Sequence, residues 1–173
     1  MSKLALKKEL SKLSKEQLIL HVLDLYENNK AVKEFYNHFL NPQNEGELAK
    51  KYKKIIRKEF NVENPMKSTE KFSVAKKAIS DFKSLQPSPK VLADVLLYLS
   101  ESACELTHCY GDFSEQFYIS AWKNYKTALE FIAKNGLLKE FKPRAKNCVT
   151  WAAICGYGFS DDIGDVFYEY YNE

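Results

Sequence analysis

Apolar residues recur along this chain at three- and four-residue spacing, the period of one helix face, and nowhere do they alternate as the two faces of a strand would. Leu4, Leu6, Leu10 and Leu13 predict a short first helix. The capping box Ser14-Lys15-Glu16-Gln17 opens a second, with Leu18, His21, Val22, Leu25 and Tyr26 turned inward and His21 expected as a core histidine. Val32, Phe35, Tyr36 and Phe39 predict a third over 31–40, stopped at Asn41-Pro42 because a residue before proline avoids the helical region. Further helices are predicted over 47–60, 68–85 and 88–110, and from an Asp112 cap to Lys134. Beyond them, Leu137 starts a turn, Pro143 restarts the helix as far as Gly156, and a last helix follows Ser160-Asp161-Asp162. The fold class is all-α: a multi-helix bundle or a short α-α superhelix of antiparallel helix pairs, with about seven to nine helices.

The stretch 88–110 is the organising one. Ser88 is placed to cap it, Pro89 sits at the first helical position, and Gly111 lies just past its end. Leu92, Val95, Leu96, Leu99, Ala103 and Leu106 make its stripe, and Val91, Leu97 and Tyr98 widen the stripe until the helix must be covered on several sides. Asp94, Glu101, Glu105 and His108 share the remaining face.

At 173 residues the chain fits one domain, 1–173, able to bury a core without staples. The longest apolar run, Val95 to Leu99, is far too short to span a bilayer, so no membrane partner is expected and a cytoplasmic location is. Cys104, Cys109, Cys148 and Cys155 form no CxxC pair and are expected as small core residues. Up to Lys90, 19 Lys and Arg stand against 11 Asp and Glu; from Val91 onward, 7 stand against 12. The first half is basic and the second acidic, rich in aromatic residues.

Candidate chemistry sits in three places. Glu105 and His108 have the E-x-x-H spacing of di-iron helices, but no second copy accompanies them, so no metal or cofactor is assigned. Asp112, Glu115, Asp161, Asp162 and Asp165 would form a carboxylate cluster if their two loops meet, walled by Tyr118 and Tyr157, with Glu101, Glu105 and His108 as neighbouring ligand candidates. Capping and dipole effects account for several of these acids without a ligand. Lys50, Lys51, Lys53, Lys54, Arg57 and Lys58 make a basic helix, either a solvated face or a phosphate-contacting ridge. No phosphate loop, nucleophile elbow or Cys–His signature occurs, and no catalytic residue is assigned.

Two motifs, Tyr110-Gly111-Asp112-Phe113-Ser114-Glu115-Gln116-Phe117-Tyr118 and Gly156-Tyr157-Gly158-Phe159-Ser160-Asp161-Asp162-Ile163-Gly164-Asp165-Val166-Phe167-Tyr168-Glu169-Tyr170-Tyr171, join the opening Ser14 to Leu18 and Asp24-Leu25-Tyr26 in resembling a bacterial family of small helical proteins known only as a domain of unknown function. The family pattern more often carries Trp at Tyr157 and His at Ser160. The resemblance implies a helical fold and no activity. The first expectation is therefore a cytoplasmic interaction module for a protein partner, its oligomeric state open. A nucleic-acid binder using helix 47–60 comes second, and an enzyme or ligand binder with a carboxylate-lined pocket third.

Overall fold

The structure, a computed structural model, describes residues 2–171, which form nine α-helices and no strand. They divide into two compact units, one up to Pro42 and one from Gln43 onward.

The first unit holds α1 (Lys3–Leu10), α2 (Lys15–Asn28) and α3 (Lys30–Leu40). The capping box at Ser14 is present in full, and Asn29 caps α3 through the Ala31 and Val32 amides. α2 and α3 are tied by Tyr26, whose hydroxyl donates to Asn37 Oδ1 at 3.0 Å and whose ring meets that of Tyr36 edge-on. No residue of these three helices is buried. His21 and Phe39, expected inside, are exposed, because the hairpin is too thin to cover both sides of an apolar helix.

The second unit holds α4 (Glu45–Glu59), α5 (Phe72–Ser84), α6 (Pro89–Tyr110), α7 (Glu115–Lys134), α8 (Leu138–Ala152) and α9 (Phe159–Tyr170). They pair as three hairpins, α4–α5, α6–α7 and α8–α9, laid side by side. Contacts fix the directions. Tyr52 meets Phe82 while Phe60 meets Phe72, so α4 and α5 run antiparallel. Glu45 bonds Ser88, Lys53 pairs with Asp94 and Arg57 with Glu105, so α4 and α6 run the same way. Lys90–Glu140 and Asp94–Arg144 likewise make α8 parallel to α6. α6 is the buried axis, with Leu92, Val95, Leu97, Leu99, Ala103 and Leu106 all inside.

Several boundaries differ from the sequence expectation, among them the end of α8, which falls at Ala152 rather than Gly156. α5 starts at Phe72 rather than near Ser68, because the amides of Thr69 and Glu70 and the Ser68 hydroxyl all donate to the Glu59 carbonyl and close the end of α4. α7 is capped by Ser114, whose side chain accepts from the Phe117 amide, which frees Asp112 for another task. α8 starts at Leu138 and runs through Pro143, its sixth residue, unbroken. Cys109 is exposed, while Cys104 and Cys148 are buried and Cys155 lies between. After α7 the chain reverses at Gly136, whose φ of 69° suits a residue without Cβ; the Leu137 amide returns to the Ile132 carbonyl and that of Gly136 to Ala133.

Candidate functional site

Three parallel helices place the acids of α6 between the cations of α4 and α8. Arg144 grips Glu101 with two prongs, Nε to Oε1 at 2.8 Å and Nη2 to Oε2 at 2.5 Å, and reaches Asp94 through Nη1 at 2.5 Å. Lys53 meets Asp94 from the other side at 2.6 Å, its ammonium 5.0 Å from the centre of the Tyr98 ring. Arg57 pairs with Glu105 at 2.6 Å. Burial works against the charge of Arg144, but hydrogen bonds and proximity to Glu101 and Asp94 outweigh it and hold the guanidinium more firmly protonated than usual; Glu105 does the same for Arg57. These acids and bases neutralise one another, so the seam stitches helices together. His108, one turn past Glu105, is exposed, and the partner of Glu105 is Arg57. Among the described residues no group of His, Cys, Asp and Glu side chains gathers as a metal site.

The two motif loops do meet, through a single carboxylate. Asp112 Oδ1 accepts from the Gly156 amide at 2.8 Å and from the Tyr118 hydroxyl at 2.7 Å. A Cβ on Gly156 would lie 2.9 Å from Asp112 Oδ2, so the close approach depends on glycine there. The Gly156 amide and Tyr118 hydroxyl hold Asp112 below the usual carboxylate range, while burial and this same bond push the Tyr118 hydroxyl well up. Tyr118 stacks on Phe159 with centroids 4.5 Å apart and touches the exposed Tyr157. Beneath them Cys155 donates its thiol to Thr107 Oγ1 at 3.3 Å. A carboxylate of lowered pKa held by two donors is a weak proton acceptor, and the arrangement works as a latch between the α6–α7 and α8–α9 loops. Glu115, Asp161, Asp162 and Asp165 are exposed and do not join it; Asp161 and Asp162 lie in the first turn of α9, where the helix dipole favours them.

Of the basic helix, Lys53 and Arg57 turn to α6, whereas Lys50, Lys51, Lys54 and Lys58 are exposed, Lys50 beside Glu47 at 2.6 Å. Sequence reasoning missed Arg144 and Gly156. Their partners lie more than forty positions away, at Glu101 and Asp112, and only an arginine alone among the lysines of α8 hinted at a special role.

Residues 1–155 match DUF6155, a family of unknown function. The chain belongs to this family. The DUF6155 match takes in α1 through α8 and the Asp112 side of the latch, while Gly156 and α9 follow it. No curated protein and no solved structure matches the chain.

Proposed function

We propose that this chain is a protein-interaction module, working in the cytoplasm, whose N-terminal helices pack against an apolar face of helices in a partner protein. One observation carries this reading: α2 is apolar on several sides and α3 along one pronounced face, yet Leu20 is 64% exposed, Phe39 66% and Leu40 68%, with Leu23 and Leu25 about half exposed. A helix of this character is ordinarily covered, and exposed apolar surface of this extent marks contact sites. Leu4, Leu6, Leu10 and Leu18 add a groove of about 800 Å³ between α1 and α2, into which apolar side chains fit. Four free thiols suit a reducing compartment.

Photo-crosslinking in cells from a probe at Leu20 tests the proposal, with a probe at Lys58 as control. A heterologous product specific to Leu20 and abolished by Leu23→Glu is expected. Products equal to the control would sink it, and a product of twice the chain mass would assign the face to self-association. The nucleic-acid reading keeps only the exposed lysines of α4; binding that vanishes at modest salt for every polyanion would reduce it to nonspecific charge.

A further inference from the structure

The α8–α9 hairpin ends the row of three, and a groove of about 640 Å³ runs between its helices. Lys139, Lys142 and Lys146 come from α8, at steps of three and four on one side of the helix, Phe167 and Tyr168 come from α9, and Tyr171 follows its last turn. We infer that this groove binds a short acidic segment of a protein partner, seating one aromatic or aliphatic anchor on the rings and its carboxylates on Lys139 and Lys146. The site is separate from the N-terminal helices and stands on its own observations.

Charge complementarity chooses the occupant. Lys139 has no ion-pair partner among the described residues, and the Lys146 ammonium has only neutral company: the Tyr168 hydroxyl at 3.2 Å and the Phe167 and Tyr168 rings at 5.0 and 5.2 Å. In an otherwise acidic half of the chain this is a local concentration of positive charge over an apolar floor. Phe167 and Tyr171 are buried and pack with ring centroids 4.7 Å apart and planes tilted by 30°, forming the floor, while half-exposed Tyr168 supplies a wall. Buried rings under a charged rim are the anatomy of an anchor pocket.

The apolar floor and one buried hydroxyl favour a peptide over a bare anion. The hydroxyl of Tyr171, also of the lining, is buried without a hydrogen-bond partner among the described residues and donates best to a carboxylate or carbonyl. From Lys139 to Lys146 the helix rises about 10 Å, the length of roughly three extended residues.

Selection of peptides from a displayed random library against the full chain tests this, followed by anisotropy with the selected peptides. Peptides with Asp or Glu around one large apolar residue are expected, losing about tenfold or more in affinity to Lys139→Glu/Lys146→Glu and to Tyr168→Ala. Binding should survive Lys50→Glu/Lys54→Glu on α4, and also Leu20→Glu/Leu23→Glu, which separates this site from the N-terminal helices. Because a charge reversal can disturb folding, the reversed variant should regain binding for a peptide whose acids are changed to lysine. No selected peptide, selection without acidic bias, or affinity indifferent to the charge reversal would overturn the inference. So would tighter binding of a labelled oligothymidylate lost by the same reversal, which would give the groove to nucleic acid.

Discussion

Asp112 shows how little of a carboxylate's role its neighbours in sequence reveal. It stands before Ser114 and Glu115 in what reads as a capping pattern, yet Ser114 takes the cap and Asp112 crosses to Gly156. The sign of its pH dependence follows from its lowered pKa in the fold. The unfolded chain has the ordinary value of about 3.9, so the latch contributes in full above that pH and loses its contribution as pH falls through the lower, folded value. Thermal unfolding followed between about pH 5 and pH 2 should show this loss, and Asp112→Asn should remove that part of the dependence. Identical acid profiles for the two proteins would mean that the latch carries no stability.

The layer formed by α4, α6 and α8 is joined by ion pairs as much as by apolar contact, and Arg144 is the member serving two acids at once. Removing its side chain leaves Asp94 and Glu101 on one face of α6 without the cation between them. Arg144→Ala should cost about 2–3 kcal/mol in urea unfolding at neutral pH, less than the 3–5 of a fully buried pair because part of the guanidinium still meets water. Arg57→Ala, with one acid to serve, should cost about 1 kcal/mol. Equal losses for the two would deny Arg144 its special place. The helix signals themselves were plain beforehand: Ser14, Ser88, Pro89, Asn135 and Gly136 all do what their types suggest. Among the exceptions were Asp112, displaced as a cap by Ser114, Ser68, which closes the end of α4 instead of opening α5, and Pro143, which lies inside α8.

Taken whole, the molecule has its core in one unit: among the described residues every buried side chain lies between Ala49 and Tyr171, and none in α1 to α3. Deleting residues 1–42 should therefore leave the remainder folded, with a melting temperature within a few degrees of the full chain; collapse of the truncated protein in circular dichroism would show that the first unit is needed to complete the core. From the chain alone came the all-α class, the central helix 88–110 with its stripe, and the face holding Asp94, Glu101 and Glu105, because helical period and capping are local properties carried by neighbouring residues. Pairing is not local. Which cation answers Glu101, that Asp112 reaches Gly156, that Lys53 and Arg57 turn inward while Lys54 and Lys58 stay out, and that Lys146 gathers beside Phe167 and Tyr168 all depend on helices far apart in sequence. A charged residue's periodicity places it on a face, and only the neighbour packed against that face determines whether it meets a partner, a ring or water.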